Sequence, residues 1–192
     1  MNIQQITKDA EAGDMEAQWN LSNIYYQGDD ITKDDEKAFY WASKSAAQGH
    51  TSSQFNLGYM NYHGKATSQD YEKAFFWFSL AAEKGHASAQ NNLGVMYRDG
   101  IGVDEDFEEA FMWFLIASNS SLSCCYDARK SYSGNPNALC NLGLIYAEGS
   151  RLPESKSRAA HWFNLAHIQG SKRAAKLLDE YELWDYIEKY II

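Results

Sequence analysis

The sequence predicts an all-α chain: an α-solenoid of about four helix-turn-helix repeats with a capping helix at each end. Three observations carry that expectation. Trp41, Trp77 and Trp113 stand 36 residues apart, and Trp162 follows after 49. The Leu21, Leu57, Leu93, Leu142 series and the Asn20, Asn56, Asn92, Asn141 series keep the same intervals. Only two prolines, Pro136 and Pro153, interrupt the 192 residues. A period of this length has room for two helices. Such a pair cannot bury its apolar face alone and must stack on its neighbours.

The elements follow in order within one domain, 1–192. "IQQITKDAEAGD" reads as a lone second helix and forms an N-terminal cap over 1–13. Repeats are expected at 14–50, 51–86, 87–118 and 137–170. The first helix of each ends at Gly28, Gly64, Gly100 or Gly149, since glycine readily supplies the left-handed residue that terminates a helix. The second begins seven residues before each tryptophan, at Asp34, Asp70, Asp106 or Ser155. Their side-chain oxygens can accept from the orphan amides of a first turn. These second helices end near Gly49, Gly85 and Gly170. Residues 119–136 hold an insertion that accounts for the 13 extra residues of the last interval. "SKRAAKLLDEYELWDYIEKYII", 171–192, closes the array as a capping helix with the apolar stripe Leu177, Tyr181, Trp184 and Ile187. That stripe is either a cap or a face for weak dimerisation, so the expected state is a monomer or a weak dimer.

Agreement between repeats marks the core. Relative to each leucine, nearly constant residues stand at minus four (Ala17, Ser53, Ala89, Ala138), plus three (Ile24, Met60, Met96, Ile145) and plus four (Tyr25, Asn61, Tyr97, Tyr146). Those offsets share one helical face. Beside it stand Gly58, Gly94 and Gly143, where glycine costs about 1 kcal/mol against alanine. The expected compensation is a neighbouring helix that crosses too closely for a Cβ atom. In the second helix, the column Ala38, Ala74, Ala110, Ala159 and the tryptophans suggest small residues fitted against large ones.

The stretches "ASAQNNLGVMYRDGIGVDEDFEEAFMWF" and "QDYEKAFFWFSLAAEKGHASAQNNLG" resemble Sel-1-like repeats (SLR), relatives of the tetratricopeptide repeat. The resemblance covers roughly 14–170 and rests on a combined Leu-Gly, Gly, Asp, Ala, Trp and Ala-Ala-x-x-Gly pattern. Departures are local: Ser22 replaces the helix glycine of the first repeat, Asn61 replaces a tyrosine in the second, and the third loses its Ala-Ala-x-x-Gly ending. The resemblance implies a right-handed solenoid whose first helices line a concave wall. It also implies a bacterial, non-catalytic module that binds another protein or peptide, as an adaptor, a host-interaction factor or an effector-neutralising immunity protein. Hydrolytic activity is attributed to cysteine-rich relatives. Those carry regularly paired cysteines within repeats, a pattern this chain lacks.

Disagreement between repeats marks the surface. The columns at minus two, plus two and plus five vary and share a face. They hold Trp19, Asn23 and Tyr26; Phe55, Tyr59 and Tyr62; Asn91, Val95 and Arg98; and Cys140, Leu144 and Ala147. The plus-six column adds Gln27, His63, Asp99 and Glu148. Trp, Tyr and Arg dominate binding hot spots. The candidate partner-binding residues are therefore Trp19, Asn23, Tyr26, Phe55, Tyr59, Tyr62, His63 and Arg98. Trp19 and Phe55 have an alternative reading as gap fillers between repeats. The asparagine column reads as a structural hydrogen-bond ladder between repeats.

Composition bounds the rest. A net charge of −9 argues against nucleic acid and anionic membrane and is compatible with a partner that has a basic surface. No segment nears the length of an apolar membrane span. The three cysteines, Cys124, Cys125 and Cys140, have no metal-ligand spacing and form no disulfide framework. His50 and His86 share a repeat column and read as scaffold. His161 and His167 lie six apart, which does not suit two ligands on one helical face. No catalytic residue, metal or cofactor is assigned, and a cytoplasmic protein is expected unless a leader has been removed.

Overall fold

A computed structural model describes residues 3–28, 31–118, 134–149 and 152–188. They divide into two compact units, 1–105 and 106–192. The first unit holds α1 (Ile3–Glu11), α2 (Met15–Gln27), α3 (Asp35–Ala47), α4 (Thr51–His63), α5 (Tyr71–Glu83) and α6 (Ala87–Asp99). The second holds α7 (Phe107–Ala117), α8 (Pro136–Glu148), α9 (Lys156–Ile168), α10 (Lys172–Glu180) and α11 (Trp184–Glu188). In the first unit each helix packs on the next in order. In the second, α7 packs on α8, α8 on α9, and α10 and α11 both close on α9. The chain is an α-solenoid fold of repeated helix pairs.

The helix boundaries follow the capping chemistry. Asp34, Asp70, Asp106 and Ser155 are the N-caps of the second helices, each accepting from an amide of the first turn. The first helices end on left-handed glycines at Gly28, Gly64, Gly100 and Gly149, with φ between 62° and 76°. A second set of caps opens the first helices. Nδ1 of His50 accepts from the Ser53 amide (3.2 Å), and Nδ1 of His86 accepts from the Ala89 amide (3.3 Å). The histidine column is thus scaffold of a specific kind.

Two contacts close the helix pairs. The amide of the second helix's N-cap donates back to the plus-four carbonyl of the first helix: Asp34 to Tyr25 (2.9 Å), Asp70 to Asn61 (3.0 Å) and Ser155 to Tyr146 (2.9 Å). Above that turn lies the answer to the glycine column. A Cβ on Gly58 would sit 2.5 Å from the ring of Phe78, and one on Gly143 would fall into the ring of Phe163. Both rings are buried. The expected close approach is therefore made by a phenyl ring of the partner helix in the same repeat, one residue past the tryptophan. The large member of the small-against-large fit is this Phe. The tryptophans themselves stay partly exposed.

The first repeat tests this rule by breaking both halves of it. Ser22 stands at the glycine position and Ala42 at the phenylalanine position, and both are buried. With no ring to accommodate, the space takes a hydroxyl. Ser22 Oγ donates to the Ala38 carbonyl (2.8 Å).

Between repeats a buried glutamine makes the joint. Nε2 of Gln18, Gln54 and Gln90 donates to the carbonyls of Ala10 (3.0 Å), Ala46 (3.3 Å) and Ala82 (3.0 Å) respectively. Each acceptor lies in the last turn of the preceding helix, where it also accepts from the following glycine amide (Gly13, Gly49 or Gly85), so the glutamine fills its second lone pair. Long side chains at the ends of α3 and α5 add a second stitch. Gln48 donates to the Gly13 carbonyl (3.0 Å) and Lys84 to the Gly49 carbonyl (2.6 Å).

The C-terminal cap differs from a single helix. Glu182, at φ 55°, breaks it into α10 and α11. Leu177, Leu178 and Leu183 are buried against α9, whereas Trp184 is exposed and donates to Asp179 (2.6 Å). The expected stripe is thus split by a left-handed residue. The insertion at 119–136 lies outside the described residues up to 133, with Cys124 and Cys125 in it; Cys140 is free and buried.

Two outcomes are expected. Gly58→Ser should lower stability by about 1–3 kcal/mol in urea unfolding, because Phe78 has no room to yield. Combined with Phe78→Ala, which recreates the Ser22/Ala42 pair, the loss should fall short of the sum of the single changes by about 1 kcal/mol or more. Acid should loosen the joint at His86. Burial holds this imidazole below its usual range, and protonated Nδ1 cannot accept from the Ala89 amide. The unfolded chain binds the proton first. The contribution is therefore complete above about pH 6.5 and is lost as pH falls through the folded value. Urea unfolding at about pH 7.5 and 5.5 should show wild type losing more stability than His86→Asn, a cap that does not titrate. Parallel losses in the two proteins would exclude His86 as the cause.

Candidate partner-binding site

The varying columns separate into two groups once side chains are placed. The minus-two column goes into the joints. Asn91 and Cys140 are buried. The ring of Trp19 lies 5.1 Å from that of His50, and Phe55 stacks on His86 at 4.4 Å and 16°. Trp19 and Phe55 therefore pack over the histidine caps of the following repeat, and their alternative reading as gap fillers describes their contacts. The physical reason is register: a residue one turn before the buried stripe still faces the next helix pair.

The plus-two, plus-five and plus-six columns stay half-exposed or exposed. In the first unit they converge on one aromatic cluster. Tyr59 and Tyr62 flank His63, with ring centroids 4.2 and 5.1 Å away. Tyr62 meets Tyr71 of α5 edge-on at 5.2 Å. Partial burial pushes the Tyr62 phenol above its usual range, with Tyr71 and Asp99 adding to the shift. Beside the cluster is a cleft of about 160 Å³ lined by Tyr59, Tyr62, His63, Phe78, Asn92 and Val95. One wall is the Phe78 ring that locks the repeat, so the cleft's floor is fixed by the core.

Lys65 joins this cluster to the first repeat. Its Nζ donates to Tyr26 Oη (2.9 Å) and lies 5.3 Å from the Tyr26 ring centre and 5.1 Å from that of Tyr59. The hydrogen bond to Tyr26 leads the causes that hold the ammonium above its usual range. Asn56 Nδ2 donates to Asn23 Oδ1 (3.3 Å), a direct link between two repeats. Asn141 accepts from Arg173 (3.0 Å). The asparagine column thus supplies individual bonds of differing partners in place of a uniform ladder. Arg98 is spoken for: its guanidinium makes a two-pronged pair with Asp99 (2.6 and 2.8 Å).

Lys65 and the buried glutamines escaped the pattern reading for opposite reasons. The glutamines repeat at intervals of 36, as readable a signal as the leucines. Lys65 repeats nowhere: Ile101 holds the equivalent place in the next repeat. Its position depends on the turn after α4, where Ala66 adopts a left-handed conformation at φ 59°. The next repeat has Gly102 there, at φ 70°. Outside this cluster, the second helices also expose large apolar side chains, Tyr40 and Phe76 among them at 52% and 54%.

Among the described residues, no three His, Cys, Asp or Glu side chains gather as a metal ion would require, and no helix is long and apolar enough to cross a membrane.

Paired helices locked ring-on-glycine, clasped at each joint and open along the first helices, define a helical-repeat scaffold. The chain belongs to the Sel1 repeat family, whose model matches residues 16–50, 51–86, 87–122 and 136–171. Sel1 repeats generally mediate protein–protein interaction. Two solved structures are similar. One is a protective antigen present in uropathogenic Escherichia coli strains and displaying an SLR fold (TM-score 0.80, 33% identity, covering 93% of this chain and 35% of that one). The other is a Sel1 repeat protein from Oxalobacter formigenes (TM-score 0.80, 30% identity, covering 92% of this chain and 65% of that one). No curated protein matches the sequence.

Left-handed backbone costs an alanine roughly 1 kcal/mol that glycine avoids. Ala66→Gly should therefore raise stability by up to about that amount in urea unfolding. An unchanged or lowered midpoint would show that the turn is not strained.

Proposed function

We propose that this protein is a non-catalytic binding module that holds a partner protein or peptide against the first helices of its N-terminal unit. The observation that carries the reading is the Tyr26, Tyr59, Tyr62, His63 and Lys65 cluster beside its cleft. These are large rings that stay half-exposed on a rigid repeat core, and the repeat pattern does not require them. Rigid aromatic surface next to a fixed floor suits a binding anchor, because little conformational freedom is lost on contact. Non-catalysis is supported by the site's content. The described cluster offers no nucleophile paired with a base, and Sel1 scaffolds are typically non-catalytic.

Within that reading, an intracellular bacterial adaptor or an immunity protein that neutralises an effector fits a small acidic repeat protein. A host-interaction role is favoured by one specific observation, the likeness to an antigen of uropathogenic strains. The genes beside this one separate the roles, since an immunity protein is encoded next to its effector.

The surface itself is testable. A photo-crosslinking residue placed at Tyr62 or Tyr59 should capture the same partner in the native cell, and one placed at Phe76 should not. With that partner purified, Tyr59→Ala combined with Tyr62→Ala should keep the helical circular dichroism and weaken binding by about 2 kcal/mol or more. Capture from Phe76 alone would move the site to the outer helices.

A further inference from the structure

The net charge of −9 is compatible with a partner that has a basic surface, but the described aromatic cluster centres on a cation. Lys65 is the cation at its centre. Among the described residues no carboxylate lies within ion-pair distance of it, whereas Lys33, Lys37, Lys73 and Arg98 are paired with Asp35, Asp34, Asp70 and Asp99. The one acid on the open face of α6 near the cluster, Asp99, is held by Arg98. The Lys65 ammonium is also fixed in place. The Tyr26 hydroxyl and the neighbouring Tyr59 ring, 5.1 Å from the ammonium, hold it, so part of the cost of ordering a long side chain has already been met before a ligand arrives.

The hydrogen-bond count points to what would complete the arrangement. An ammonium has three donors, and one is directed at Tyr26 Oη. Because Tyr26 Oη accepts that bond, its own proton is available to donate. A carboxylate placed there receives the lysine and the phenol together, both charge-assisted bonds. Tyr59 lies beside Lys65 on one side and on the other lines the cleft, whose walls are largely apolar (Tyr59, Tyr62, Phe78, Val95) with His63 and Asn92 at its polar side. The cleft has room for one aliphatic or aromatic side chain.

We propose that the groove recognises an acidic residue next to an apolar one in an extended segment of the partner, with the carboxylate on Lys65 and Tyr26 and the apolar side chain in the cleft of Tyr59, Tyr62, Phe78 and Val95. This rests on the groove reading above. It reverses the sign of the partner that bulk charge suggests.

The test uses a phage-displayed library of random linear peptides panned on the full chain. Enriched peptides are then synthesised with each acid and with its amide, and titrated by fluorescence anisotropy. Expected are sequences with Asp or Glu beside an aliphatic or aromatic residue. Lys65→Gln should weaken them about ten-fold, the amide peptide should lose as much, and the two changes together should lose little more than one. Added salt should shrink the difference. Circular dichroism of Lys65→Gln should match wild type, since the side chain is outside the core. Peptides that need Tyr59 and Tyr62 but carry basic or uncharged residues, or that ignore Lys65→Gln, would overturn this inference and leave the groove reading standing. Peptides indifferent to both tyrosines, or no enrichment at all, would remove both.

Discussion

A phenyl ring laid on a glycine sets the helix spacing in the second and fourth repeats, and the structure around those pairs depends on that contact. The ring of Phe78 occupies the volume a Cβ on Gly58 would take, and Phe163 does the same at Gly143. Glycine in a helix interior is locally unfavourable. Here the burial of an aromatic side chain, of larger magnitude, outweighs it. The first repeat keeps the fit with different chemistry, a buried hydroxyl and an alanine, and satisfies the hydroxyl on a main-chain carbonyl. At the joints that open the second and third repeats, a buried glutamine and a capping histidine hold one pair to the next.

That arrangement explains which side chains the packing leaves on the open side. The minus-two residues Trp19 and Phe55 are committed to joints, where they cover the histidine caps. The residues on the far side of the stripe stay half-exposed or exposed and vary between repeats, with Asn23 and Tyr26 bonding across to the next repeat. In the first unit they have become a tyrosine cluster, and the lock beneath it serves as its floor through Phe78. The site is thus rigid on one side and adjustable on the other, and its polar handles, Lys65 and Asn92, stand at its edge.

The fold was legible because repetition acts as an internal control. Four copies of a leucine, an N-cap and a terminal glycine say more than any single propensity, and the second-helix caps stand where the spacing placed them. The site was legible by face but not by residue. Sequence spacing put Tyr59 and Tyr62 on the same side as Trp19 and Phe55, yet one turn of helix separates an open wall from a joint. Arg98 pairs with its neighbour Asp99, a contact that helical columns do not read. Lys65 was invisible to any periodic argument, since its reach depends on the left-handed turn at Ala66. Residues that act once, from a loop, leave no trace in a repeat pattern.

The clasp at each joint has a consequence for how such chains grow. Gln18, Gln54 and Gln90 donate to main-chain carbonyls at the end of the preceding helix, and every helix end offers one whatever its side chains. A duplicated pair carries its own lock and finds a ready acceptor on whichever pair it follows. Lengthening by tandem duplication then requires no matching change in the neighbour. The similar proteins are longer than this chain, one nearly threefold. The buried clasp that joins one pair to the next is thus built from main-chain acceptors, so a change of array length leaves it intact.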